Sequence, residues 1–188
     1  LLLIILHLGS WLTWQVSFTL NTLLNAIFLG LVIGFAEEVI FRGWLFGELI
    51  SFMNIKYAII VQSIIFSLVH LRFNENLFEL ISLFLGLLLL GLVLAHRRLM
   101  DDLSIFGCIG FHGGLVGIWF FIDNSVIDFS ISTPRILFGS TGDSTNPISG
   151  LVAISFLLFL FLNYRLKGIN SRRAFDGTCK ASSIGAKP

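Results

Sequence analysis

The chain has 188 residues, 56% of them hydrophobic and 12% charged, with 20 phenylalanines against 12 lysines and arginines, and its mean hydropathy is +0.93. A water-soluble domain carries about 25% charged residues, so this composition excludes a single soluble core and makes lipid the solvent. The net charge of +1 excludes a nucleic-acid binder, which needs a clustered basic face. Cys108 and Cys179 lie far apart, one in an apolar and one in a polar stretch, and fit neither a disulfide framework nor a zinc pair. Residues follow Cys179-Lys180-Ala181-Ser182, so it does not read as a prenylation box. Leu1 already stands inside an apolar run, and the chain is expected to lack N-terminal residues.

A spanning helix needs roughly 20 mainly apolar residues. That ruler gives an all-α, polytopic transmembrane helix bundle of about six spans, over residues 1–18, 23–46, 57–71, 77–95, 103–122 and 148–166. The membrane domain is expected to cover 1–167, with its motifs in 23–121, and residues 168–188 to form a polar, disordered tail. Cationic residues favour the cytoplasmic side of a membrane. Lys56, His96-Arg97-Arg98, and Arg165, Lys167, Arg172 and Arg173 all fall on one side of such a bundle. Asn74-Glu75-Asn76 and the stretch 123–147, rich in Ser, Thr, Gly and Asp and carrying Arg135, fall on the other and read as solvated connections.

The second segment contains Glu37-Glu38-Val39-Ile40-Phe41-Arg42. A charged side chain at the centre of a membrane helix costs about 2.5–3.5 kcal/mol, so such groups mark functional sites by default. Glu38 and Arg42 stand at i,i+4 and can pair along one face. Glu37 points elsewhere round the helix and has no partner in its own segment, which leaves it free to exchange a proton with water or ligand. The structural alternative is an ion-paired bundle interior in which all three are inert. The third segment ends in Phe66-Ser67-Leu68-Val69-His70, and the fifth carries Phe111-His112.

Depth tests whether these groups can meet. Glu37 lies 16–17 residues before the turn at Met53-Asn54 and His70 lies 16–17 after it, so an antiparallel hairpin puts them level. His112, eleven residues beyond Asp101, stands roughly 16 Å from the same face. One cavity is therefore expected to hold Glu37, His70 and His112. Gly30/Gly34, Gly110/Gly114 and Gly113/Gly117 offer the small-residue spacing that lets membrane helices touch. His7, His96, Asp101 and Asp102 read as ordinary helix-end or interfacial residues.

Glu37-Glu38-x-x-x-Arg42, Phe66-x-x-x-His70 and His112 resemble, in order and spacing, the motifs of the CAAX prenyl endopeptidase type II/Abi (CPBP) family of CAAX proteases and bacteriocin-processing enzymes. The resemblance covers 23–121, and the Leu-Val-His-Leu-Arg and Phe-His-Gly-Gly-Leu-Val stretches look most like cyanobacterial or plastid members. It implies a multi-pass endopeptidase of a bacterial plasma, thylakoid or plastid membrane, acting on a prenylated or otherwise hydrophobic peptide or membrane protein. It also implies catalytic roles for Glu37, Glu38, Arg42, His70 and His112. Glu37 and His70 would activate a water, His112 would help hold the oxyanion, and Glu38 and Arg42 would hold the site. The chain departs from the pattern where the family has Asn or Asp four residues after the histidine, because Val116 stands there and cannot donate. A divalent metal such as zinc is the implied cofactor, with Glu37, His70 and His112 as its candidate ligands, although they do not form a His-Glu-x-x-His helix.

The leading expectation is thus an intramembrane endopeptidase with a Glu/His-activated water. The alternative is a non-catalytic membrane scaffold or protective partner that retains the polar cluster. A proton-coupled carrier ranks behind both, since no repeat or paired broken helices are visible.

Overall fold

The computed structural model describes residues 7–15, 17–71, 75–130, 132–139 and 146–166. The segment expected as a first span, 1–18, is corrected where it is described. The chain turns at Ser10, with φ of 58°, and enters strand β1 (Leu12–Trp14), paired antiparallel with β2 (Ile127–Phe129) so that Leu12 faces Phe129 and Trp14 faces Ile127. Gly9-Ser10 interrupts the apolar run, and the strand pairing satisfies the backbone that a helix would have satisfied within itself. Leu12, Ile127 and Phe138 bury together beneath this ribbon.

Helix α1 (Leu20–Phe52) is continuous over 33 residues. Thr19 caps it, its hydroxyl accepting from the Thr22 amide at 3.1 Å. It is α-helical over Leu20–Glu38, widens to a π turn over Val39–Leu45, and returns to α over Phe46–Phe52. Its buried residues are Ala26, Gly30, Gly34, Glu38, Arg42 and Phe46, a stripe with a step of four. At 3.6 residues per turn a step of four drifts about 40° round the axis. A π turn closes i→i+5, holds more residues per revolution, and rotates the stripe back toward the bundle. The opposite face carries Phe28, Leu31, Phe35 and Trp44, each more than half exposed. Small and charged residues inside with large apolar ones outside is the pattern of a lipid-facing helix.

Helix α2 (Ile55–Val69) follows a turn in which the Asn54 side chain accepts from the Lys56 amide at 3.0 Å. Helix α3 (Leu77–Met100) is capped by Asn76, and α4 (Phe106–Ser125) runs back antiparallel to it. The stretch 123–147, expected as a solvated connection, instead contributes β2 and the short helix α5 (Arg135–Phe138), because Ile127 and Phe138 are apolar enough to bury. A 3-10 turn over Pro147–Ser149 precedes α6 (Leu151–Leu166). Helices α1, α3 and α4 are long and apolar enough to cross a membrane, whereas α2 and α6 are apolar but shorter. The architecture is an all-α bundle. The expected tail over 168–188 lies outside the described residues.

Two seams position the functional residues. Along α1 and α4 the backbones touch: a Cβ on Gly30 would lie 2.6 Å from the Gly113 carbonyl oxygen, and one on Gly34 would lie 2.7 Å from the Gly113 Cα. Between α2 and α3, Gln62 Nε2 donates to the Gly91 carbonyl at 3.1 Å, and a Cβ on Gly91 would lie 2.9 Å from Ser63 Cβ. Phe66 closes the core with Leu83, Leu87, Leu90, Leu94, Cys108 and Leu157.

Candidate active site

Three helices bring the expected residues together: α1 with Glu37, Glu38 and Arg42, the end of α2 with His70, and the middle of α4 with His112. Glu37 Oε2 lies 3.2 Å from His70 Nε2 and 3.8 Å from His112 Nε2. Glu38 Oε1 accepts from Arg42 Nη1 at 2.9 Å and from His112 Nδ1 at 2.8 Å. The glutamates, side by side in sequence, divide the work by rotation about the helix. Glu37 and His70 are 22% and 30% exposed, whereas Glu38 and Arg42 are fully buried.

The hydrogen-bond partners fix where protons sit. His70 Nδ1 lies 2.6 Å from the Phe66 carbonyl oxygen, which can only accept, so Nδ1 carries hydrogen. Its Nε2 and the Glu37 carboxylate then face each other as two acceptors unless they share a further proton. Glu37 and His70 therefore form a pair that holds or passes one proton between them. His112 Nδ1 likewise donates to Glu38, which leaves its Nε2 turned toward Glu37. In both rings an acceptor behind Nδ1 sets tautomer and orientation.

Phe66 stands at the centre of the cluster. Its ring contacts His70 at 4.6 Å, His112 at 5.9 Å and Phe41 at 5.0 Å between centroids. The Arg42 guanidinium lies 4.2 Å over the same ring, a cation–π contact. Arg42 Nε and Nη2 make no hydrogen bond among the described residues, so Glu38 and this aromatic face meet the charge. In the sequence Phe66 is only the first letter of its motif and carries no mark of this role. One further participant stands in the basic end of α3: Arg98 donates from Nη1 to the carbonyl oxygen of Arg42.

The residues read as ordinary lie elsewhere. His96 Nδ1 bonds the Leu92 carbonyl at 2.9 Å and its ring packs on Phe161, while Asp101 pairs with Arg97 at 2.7 Å. His7 lies against Trp14 beside the strand ribbon. Of the glycines, Gly30 and Gly34 pack with Gly113 and Gly117, but a Cβ on Gly110 or Gly114 would meet nothing within 4 Å.

Two imidazoles and a carboxylate are the donor types zinc takes. Their arrangement is a different matter, because among the described residues no group of three or more His, Cys, Asp and Glu is spaced to hold a metal ion. The Glu37 oxygen that both Nε2 atoms approach is already hydrogen-bonded to His70.

Residues 19–118 match the family described as type II CAAX prenyl endopeptidase, Rce1-like, which is more than half of the 188 residues. The chain belongs to this Rce1-like family. No curated protein matches it, and no solved structure matches it. The matched range contains Glu37, Glu38, Arg42, Phe66, His70, Arg98 and His112, and so takes in α2 and α3 entire with the polar cluster of the bundle. An Rce1-like family is one of CAAX-type intramembrane proteases, and membership with the apolar helices makes the chain an integral membrane protein.

Proposed function

We propose that this chain is an endopeptidase that hydrolyses a prenylated or otherwise hydrophobic peptide within the membrane, using a water activated by Glu37 and His70. The observation that carries the reading is the convergence of the His70 and His112 Nε2 atoms on Glu37 Oε2, each ring locked from behind through Nδ1. A water in that space gives a proton to the Glu37–His70 pair as its oxygen adds to the scissile carbonyl. The same pair returns a proton to the departing amine as the C–N bond breaks. His112, protonated on Nε2 with its positive charge faced by Glu38, donates to the oxyanion. Arg42 holds Glu38 in place. Glu37 and His70, 22% and 30% exposed, are the members of the cluster open to substrate, whereas Glu38 and Arg42 are sealed.

The host membrane proposed is a bacterial plasma, thylakoid or plastid one. A divalent metal is not needed for any of these steps. Dialysis against a chelator should leave turnover unchanged, and a loss restored by zinc would assign Glu37, His70 and His112 to a metal instead.

A second reading, a membrane scaffold or protective partner without turnover, has one observation in its favour. Val116 stands one helical turn beyond His112 on α4 and has no donor to offer. The deciding experiment offers the purified full chain a farnesylated CAAX-type peptide, its unmodified form and a set of leader peptides in H2-18O, with products read by mass. The peptidase reading expects cleavage of at least one class, with a single labelled oxygen in the new carboxylate. Absence of cleavage across all three would favour the scaffold.

A further inference from the structure

Arg98 sits at the end of α3 in a basic run that the positive-inside tendency alone would explain. Its contacts are more specific than that tendency requires. Nη1 donates to the carbonyl oxygen of Arg42 on α1, Nε donates to the carbonyl oxygen of Leu103 at 3.2 Å, and the guanidinium lies 5.2 Å over the Phe46 ring. Leu103 belongs to the tight turn between α3 and α4, where its φ is 68°. One side chain thereby joins α1, α3 and the entry to α4.

The acceptor on α1 is the informative one. Where a π turn returns to α spacing, a carbonyl is skipped by the helix's own amides, since bonding shifts from i→i+5 back to i→i+4. The Phe46 amide donates to the Phe41 carbonyl, the last wide closure, and the next carbonyl in sequence is that of Arg42. A buried carbonyl without a donor is costly, and Arg98 supplies the donor. The same turn keeps the four-step stripe inward beyond Glu38, so that Arg42 and Phe46 stay buried and Arg42 reaches Glu38, which in turn meets His112.

We infer that Arg98 is a positioning residue, a latch that holds the π turn of α1 open and so keeps Arg42 against Glu38, the carboxylate that orients His112. Only its effect on turnover rests on the peptidase reading. The latch itself is a property of the fold.

The test compares Arg98→Met, which keeps the apolar stem but removes the donor, with Arg98→Lys, which keeps a donor and the charge. Both are made in the full chain in lipid nanodiscs. Amide hydrogen exchange is followed over 39–52 and, as a control for folding, over 20–34 and 106–125. Cleavage of a farnesylated peptide is measured alongside. Arg98→Met is expected to speed exchange over 39–52 by tenfold or more with the control segments unchanged, and Arg98→Lys to restore most of the protection. Where the wild type cleaves, kcat should fall for Arg98→Met with KM little changed. Exchange over 39–52 equal to wild type in Arg98→Met, or equally fast in both variants, would overturn the latch. Global loss of protection in Arg98→Met would overturn it too, by making Arg98 a general stability residue. If the wild type cleaves nothing, the peptidase reading fails while the exchange data still decide the latch.

Discussion

Glu38 meets two donors with a single oxygen, Arg42 Nη1 and His112 Nδ1, so its charge is shared between holding α1 together and orienting a ring on α4. Glu38→Gln removes the charge and leaves the Arg42 guanidinium buried with only the Phe66 face to meet it. Breaking a buried pair in this way costs about 3–5 kcal/mol, and the expected outcome is a clearly lower melting temperature in detergent. Glu37→Gln, at a half-open position, should melt close to wild type; equal melting of the wild type and Glu38→Gln would count against the structural role. The ionisable members of the site were legible in the sequence because charge inside an apolar segment is conspicuous. Residue spacing from the Met53-Asn54 turn then brought His70 to the depth of Glu37. Phe66 was not legible in the same way. It is one of 20 phenylalanines, most of them usable as lipid-facing rings, and only contact geometry separates the one beneath Arg42 from the rest. The bond between His112 and Glu38 was hidden for a related reason, since depth along a helix says nothing about which of two adjacent carboxylates a ring will meet.

At the scale of elements, the α1–α4 seam is held by glycine against glycine, and the structure ranks its glycines. A side chain on Gly34 would press on Gly113 Cα at 2.7 Å and on the Ile109 carbonyl oxygen at 2.8 Å, both backbone atoms that cannot swing aside. Gly34→Val should therefore force the helices apart, cost about 1–3 kcal/mol as overpacking does, and separate Glu38 from His112 in the process. Gly110→Ala faces open space and should be silent in both stability and turnover. The reverse ranking, measured by thermal unfolding in detergent, would mean that α1 and α4 meet along a different face. The repeated Gly-x-x-x-Gly spacing was visible in the sequence, but which of the overlapping pairs faces α1 was not. The π turn left a trace in the run Ala26, Gly30, Gly34, Glu38, Arg42, Phe46, whose step of four is too long for a straight α-helix to keep facing one way. Strand β1 left almost none, because Leu12-Thr13-Trp14 continues an apolar run that reads as membrane helix until its partner β2 is found more than a hundred residues later.

For the whole molecule, the inside-out distribution of residues and the basic helix ends set an orientation. Lys56 and Asp128 are both exposed and lie at opposite ends of the bundle. In a Cys179→Ser background, a membrane-impermeant thiol reagent added to sealed right-side-out vesicles should label Asp128→Cys and spare Lys56→Cys until the membrane is opened. Labelling of Lys56→Cys alone before opening would invert the topology. The fold class was legible because composition and segment length dictate a helical bundle in lipid; the number of crossings was not, since α2 and α6 are apolar yet short. The central claim concerns chemistry at one carboxylate, and it has a direct test. The wild type and Glu37→Gln, each as the full chain in phospholipid vesicles, are given the same fluorogenic farnesylated peptide, and turnover, peptide affinity and melting are measured together. Loss of a positioned general base removes about 10²–10⁴-fold in rate. The account predicts a loss of that size in Glu37→Gln with affinity and melting temperature unchanged. Cleavage by Glu37→Gln at the wild-type rate would contradict it.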